Sequence, residues 1–289
     1  MPELPEVETV RLGLIPIVSR KRIISCEQRR LDLRWPLPDR MSQRLKGVSV
    51  TRISRRSKYL LLELNNLETL IIHLGMSGRL LVFKEMKQES QNLVNLNFKS
   101  RSTEKHDHII FNFEGGIRIV YNDPRRFGAM DLFETERIMN HKWLVHLGPE
   151  PMSEEFSSEF LYRKLRQRKS SIKAALMDQK LVAGLGNIYV LESLWAAGIS
   201  PMRIANKLGK IKVEELAVQI RKVLKKAISL GGTSLKDFRQ VDGNLGYFVN
   251  KLNVYGREGK DCLKFECSGK IKSIKQNNRA SYYCNRCQN

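Results

Sequence analysis

Apolar positions in the first half of the chain come in short bursts. After a helix-patterned opening over residues 7–19, apolar runs recur at 48–53, 59–64, 69–74, 80–83, 109–113, 117–121 and 130–133, each closed by polar or turn residues. Runs this short and this closely spaced predict antiparallel strands of a sandwich or barrel. A polar stretch rich in Gln, Asn, Ser and Lys over 84–105 interrupts them and predicts a surface loop. Beyond 134 the period changes. A polar segment holding Gly148, Pro149 and Pro151 reads as a linker, and helical patterns follow at 155–168, 171–179, 187–197 and 213–230. Gly184, Gly186, Gly198, Gly231 and Gly232 punctuate these as turns and C-caps. Residues 237–250 read as a loop, and the tail from 254 carries a short hairpin signal. The predicted class is α+β. An N-terminal helix and β-sandwich occupy 1–134, a linker 135–153, a helical domain 154–253, and a small finger 254–289.

Charge adds a partner to this picture. The 289 residues hold 51 Lys+Arg against 30 Asp+Glu, a net charge of +21, with a pI near 9.9. Such an excess favours polyanions and contributes little to folding, so nucleic acid is the expected partner and an anionic membrane surface the competitor. No apolar run approaches the roughly 18 residues of a membrane span. The first residues carry two early acids rather than a basic segment and an apolar core, so no signal peptide is expected. The composition therefore predicts a cytoplasmic polyanion-binding protein.

Four of the five cysteines crowd into the tail as Cys262-x4-Cys267-x16-Cys284-x2-Cys287. Two thiolate pairs at such spacings suit one tetrahedral Zn²⁺ with no position left for water, hence a structural site. A hairpin this short cannot bury enough apolar surface to hold itself, so the metal would supply its folding energy. Lys270, Lys272, Lys275 and Arg279 lie between the pairs and would present positive charge.

The opening Met1-Pro2-Glu3-Leu4-Pro5-Glu6 carries candidate chemistry. Once Met1 is removed, Pro2 offers a secondary amine with a pKa of about 8, against about 10.4 for a lysine. Its attack on an aldehyde-level carbon must give an iminium, a strong electron sink, while Glu3 and Glu6 lie within reach to handle protons. The same residues also suit an ordinary helix start, with proline and acids in the first turn. Other motifs stand on turns. Met76 in 73–79 and Arg125 and Phe127 in 122–128 suit wedges that enter a base stack, or else belong to the core. Gly184-Leu185-Gly186-Asn187 opens a predicted helix and would offer backbone N–H groups to a phosphate, or else is a plain helix connection, with Ser170 or Ser171 capping the helix before it. Lys58 and His106 are candidate phosphate or proton-handling groups at strand ends.

Together these segments resemble formamidopyrimidine-DNA glycosylase, the bacterial base-excision enzyme for oxidised purines. The resemblance runs through 2–9, 55–61, 73–79, 105–108, 123–128, 146–151, 184–189, 231–238, 254–259 and the cysteine tail. It implies a helix-two-turn-helix domain with a C-terminal zinc-finger hairpin, one structural zinc, and damaged double-stranded DNA bound by a monomer. It implies Pro2 as nucleophile at C1′, Glu3 as acid/base on the sugar with Glu6 in support, Lys58 as a second acid/base or phosphate contact, and Arg279 in the second elimination. His73, His106, Lys169 and Asn187 match DNA-contacting positions. Met76, Arg125 and Phe127 match the triad that fills the void left by the extruded nucleotide. The implied activity is a bifunctional glycosylase and abasic-site lyase proceeding by β,δ-elimination in base excision repair, at the nucleoid. Three departures from the family pattern stand out. They are the four residues between Cys262 and Cys267 where two are usual, the long 84–105 segment, and Leu191 in place of a small residue or Cys.

Two alternatives remain open from the residues. An endonuclease VIII-like glycosylase would share fold and catalysis but act on oxidised pyrimidines; the Leu4–Glu8 continuation and the 231–250 segment favour the purine enzyme. A non-catalytic zinc-finger DNA-binding protein would share the charge and the finger, yet would not require Pro2 and Glu3.

Overall fold

The computed structural model describes residues 2–84, 105–233 and 247–289. The loop expected at 84–105 and most of that expected at 237–250 lie outside the described residues. The described residues form two compact units, one of 2, 6–84, 105–144 and 233, the other of 3–5, 145–232 and 247–289. The division at Leu144 falls inside the segment read as a linker, and the finger packs within the second unit.

Helix α1 (Leu4–Val18) opens with Pro5 and Glu6 in its first turn, where a missing N–H and a negative charge are both tolerated. Val7, Val10, Leu14 and Val18 recur at helical spacing and enter the core of the first unit. That core lies between two four-stranded antiparallel sheets. Strands β1 (Ile23–Gln28), β6 (Asp107–Phe113), β7 (Ile117–Asn122) and β5 (Arg79–Lys84) form one, in that order. Strands β2 (Val50–Arg56), β3 (Tyr59–Leu64), β4 (Glu68–His73) and β8 (Ala129–Glu134) form the other. Leu60, Leu62, Leu70 and Ile72 from one sheet and Ile109, Phe111, Ile119 and Tyr121 from the other share a single apolar cluster. Short helix α2 (Met41–Leu45) buries both its end residues against it.

In the second unit, α3 (Ser158–Arg166), α4 (Ile172–Met177), α5 (Asn187–Ala196) and α6 (Lys210–Ser229) enclose a second core. Ser157 caps α3 by accepting from the Phe160 N–H at 3.0 Å, and Ser171 caps α4 at Ala174 N. Strands β9 (Ile271–Gln276) and β10 (Arg279–Cys284) make the tail hairpin. Its two-residue turn, Asn277–Asn278, places both residues at positive φ (49° and 58°), which the right-handed twist of a tight hairpin demands. Among the described residues no helix is long and apolar enough to cross a membrane.

Candidate active site and metal centre

The site residues fall into both units. In the second, Glu3 is buried, and its carboxylate accepts the Ile188 N–H at 3.0 Å and the Tyr189 N–H at 3.4 Å. The turn before α5 is shaped to receive it. Gly184 sits at φ 86°, and its carbonyl accepts the Leu4 N–H at 3.1 Å. Gln179 bonds the Gly184 N–H through Oε1 (2.8 Å) and the Leu185 carbonyl through Nε2 (2.7 Å). A Cβ on Gly186 would stand 2.3 Å from the Glu3 carboxyl carbon, so only glycine admits that carboxylate. The sequence reading gave these helix N-terminal donors to a phosphate. The chain fills two of them with its own Glu3, because a helix N-terminus attracts whichever anion the fold delivers.

A cationic nest stands beside this seat. Lys173, buried on α4, donates to Ser281 Oγ at 2.6 Å and reaches the Ala280 carbonyl at 3.5 Å. Burial, with the Arg279 charge nearby, lowers its pKa to about 8. Asn187 donates through Nδ2 to the same Ala280 carbonyl at 3.0 Å, while its buried Oδ1 has no hydrogen-bond partner among the described residues. Burial, and after it the Glu3 charge, raises the Tyr255 pKa; Asn187 bonds this phenol. Glu192, fully buried on α5, holds the chain there by accepting the N–H groups of Asn253, Val254 and Tyr255 at 2.9–3.0 Å. Sequence reasoning placed Asn187 and Arg279 here but missed Lys173 and Glu192. Lys169 is exposed, just before the Ser171 cap of α4.

In the first unit, Pro2 is buried, and Glu6 accepts the Thr233 N–H at 2.8 Å. Lys58 occupies the β2–β3 turn after Ser57, whose φ is 54°. Arg55 shapes that turn, donating to the Ser57 carbonyl at 2.8 Å and pairing with Glu8 of α1 at 2.9 Å. Burial works against the Glu8 carboxylate, but Arg11 and Arg55 outweigh it and lower its pKa. His73, at the end of β4, packs against Tyr59 with ring centroids 4.9 Å apart and planes tilted by 40°. Burial first, and then the Lys58 and Arg34 charges, lower its pKa to about 4, so it is neutral at pH 7. Its Nδ1 accepts the Gly75 N–H at 3.2 Å, which puts the ring proton on Nε2 as a donor. Met76 is half-buried. Arg125 and Phe127 are exposed on their turn, with the guanidinium 4.8 Å from the ring centroid. Phe127 is thus not a core residue. His106 is half-buried, and its carbonyl accepts the Asp123 N–H at 3.0 Å.

The four tail cysteines converge. Their Sγ atoms all lie within 4.8 Å of one another, and Cys262–Cys287 and Cys267–Cys284 each stand 3.7 Å apart. Zinc–sulfur bonds of about 2.3 Å in a tetrahedron require sulfur separations near 3.8 Å, so the set fits one structural zinc. The longer first knuckle closes with Glu266 at φ 57° and brings Cys262 into the set. Trp195 Nε1 donates to Cys262 Sγ at 3.3 Å, an outer-shell bond that orients the ligand.

Three family models match the chain in order: the formamidopyrimidine-DNA glycosylase N-terminal domain over 1–130, the H2TH domain of the same enzyme over 147–239, and a zinc finger found in FPG and IleRS over 259–289. With the fold, these define a zinc-finger DNA glycosylase. Two proteins named formamidopyrimidine-DNA glycosylase, from Ruegeria pomeroyi and Dinoroseobacter shibae, are each 50% identical over 288 residues, covering 100% of both chains. The Lactococcus lactis Fpg in complex with DNA containing an abasic site superposes with a TM-score of 0.86 at 36% identity, covering 99% of each chain. The chain belongs to the formamidopyrimidine-DNA glycosylase family.

Proposed function

We propose that this protein excises oxidised purines, 8-oxoguanine and formamidopyrimidines, from double-stranded DNA in base excision repair and then cleaves the strand as an abasic-site lyase. The observation that carries this reading is the seating of Glu3. Its carboxylate is fixed by two backbone donors directly beside the one residue whose backbone nitrogen becomes a secondary amine when Met1 is removed.

In this reading the Pro2 nitrogen forms a bond to C1′ as the glycosidic bond breaks and the base leaves with a proton. The sugar ring opens with a proton delivered by Glu3 to its oxygen, leaving the C1′ iminium. The iminium acidifies the C2′ proton, whose removal expels the 3′ phosphate; a second elimination, assisted by Arg279, expels the 5′ phosphate. Hydrolysis of the iminium frees Pro2. Glu6 supports the acid/base pair. Lys58, neutral His73 with its Nε2–H, His106, Lys173, Asn187 and Lys169 hold DNA phosphates. Met76, Arg125 and Phe127 fill the void, Arg125 facing the orphaned base. Four thiolates hold one structural zinc that keeps Arg279 on a folded hairpin. The protein works as a monomer at the nucleoid, in the cytoplasm.

Borohydride reduction in the presence of an 8-oxoguanine·C duplex tests the reading, with intact mass first establishing that Met1 is absent. A trapped covalent adduct is expected, lost in Pro2→Gly while DNA affinity is kept. No adduct from the wild type would overturn the lyase assignment. Preference for thymine glycol over 8-oxoguanine would move the substrate class to oxidised pyrimidines.

A further inference from the structure

Asp123 is fully buried, and the chemistry proposed above makes no use of it. It stands where β7 ends, immediately before the Arg125–Phe127 turn. Its Oδ1 accepts the Ser77 hydroxyl at 2.6 Å, and its Oδ2 accepts the Gly128 N–H at 2.8 Å and the Tyr121 hydroxyl at 3.3 Å. Ser77 lies on the other turn, one residue past Met76, and its Oγ in turn accepts the Arg125 N–H at 3.2 Å. The Asp123 carbonyl receives the Arg126 N–H at 3.2 Å and His108 Nε2 at 2.8 Å. The backbones are in contact as well: a Cβ on Gly75 would meet the Phe127 carbonyl carbon at 2.3 Å and Gly128 N at 2.4 Å. One carboxylate therefore closes the base of both turns.

We propose that Asp123 is a positioning residue that makes the two wedge-bearing turns one rigid part, so that Met76, Arg125 and Phe127 enter the duplex together and discriminate the opposite base. The inference rests on reading those three side chains as the void-filling wedge. Separate turns would each have to order on DNA at their own entropic cost; the buried clamp removes that cost beforehand. A buried carboxylate makes a stiff hub because leaving any of its acceptor positions unmet is expensive.

The test is single-turnover excision of 8-oxoguanine opposite C and opposite A by the zinc-loaded full chain, with 2-aminopurine beside the lesion reporting base unstacking. Asp123→Asn keeps the shape but replaces an acceptor oxygen, and Ser77→Ala removes the bridging hydroxyl. Each is expected to slow the unstacking phase roughly 10- to 100-fold, the cost of about an ångström of misplacement, and to bring the C-to-A preference towards unity. The double variant should be no slower than Asp123→Asn alone, and Ser77→Thr should recover most of the loss. Cleavage of a single-stranded abasic site, which leaves no void, should fall only a few-fold. Wild-type unstacking and opposite-base preference in Asp123→Asn and Ser77→Ala, with both lost in Phe127→Ala, would overturn the clamp and leave the wedge standing. Wild-type behaviour of Phe127→Ala and Met76→Ala would instead remove the wedge, and the clamp with it. If Asp123→Asn also loses single-strand cleavage, Ser77→Ala decides by the same criterion.

Discussion

Gly186→Ala probes the seat of Glu3 without replacing any reacting group. The added Cβ would lie 2.3 Å from Glu3 Cδ and 2.4 Å from Oε1, so the carbon contact falls 0.7 Å short of the 3.0 Å that real Cβ atoms observe. The far side offers no relief, because the carboxylate is already bonded to Ile188 N and Tyr189 N. Either Glu3 moves by most of an ångström or the first turn of α5 does, and both break those bonds. Hydrogen bonds to a charged group contribute about 1.5–3 kcal/mol each, about 3–6 kcal/mol for the two, so melting should fall by roughly 5–10 °C. A displacement of this size beside the reacting carbon should cost roughly 100-fold in the chemical step. Single-turnover excision of 8-oxoguanine with borohydride trapping would measure it, and DNA affinity should change little. Gly209→Ala is the control: its added Cβ meets nothing within 4 Å. Excision by Gly186→Ala at the wild-type rate would refute the claim that Glu3 acts from this seat.

Further outcomes follow from the same geometry. Lys173, with its pKa near 8, should lose its grip on DNA as pH rises from 7 to 9; Lys173→Arg should flatten that profile in an anisotropy titration. Its sign in stability is the opposite: with the folded pKa below the unfolded value of about 10.4, the unfolded chain binds more protons between those values and stability rises with pH there. Removal of zinc by a strong chelator should unfold the finger, since the metal supplies on the order of 10 kcal/mol, and cost DNA affinity; one zinc per chain by elemental analysis is expected, and none in Cys284→Ser. Glu192→Ala should destabilise by at least about 3 kcal/mol, read by denaturant unfolding, because it strands the Asn253, Val254 and Tyr255 N–H groups.

The strands from β2 to β8 were legible because each is a run of apolar residues between turn signals. Strand β1 was not: Ile-Ile-Ser-Cys-Glu-Gln mixes faces and breaks its register between Ile23 and Ser25. Helix α2, at five residues, is too short for its period to register. In the sequence, the four cysteines stand out by type and spacing, whereas Pro2 and Glu3 also suit a helix start and gain their proposed roles from the resemblance of the whole chain. Residues that act through what the fold brings to them do not stand out. Lys173 reads as a solvated lysine on an apolar helix until Ser281, 108 residues later, folds against it. Gly186 reads as one more turn glycine until Glu3 arrives from 183 positions upstream. The helix N-terminus was recognised as an anion seat, but its occupant depended on tertiary structure.

That occupancy has a consequence for how the protein is made. Glu3 waits 185 residues for its partner at Ile188, and the Leu4 N–H waits for the Gly184 carbonyl. At roughly 5–20 residues per second, synthesis leaves about 10–40 s during which the head of the nascent chain has no seat to enter. Trimming of Met1, which alone turns Pro2 from an amide into an amine, has that interval to reach a loose end. Once the α5 turn emerges, Glu3 and Leu4 gain the backbone partners that hold them in the folded chain, so in the proposed mechanism the seat closes after the amine can be freed.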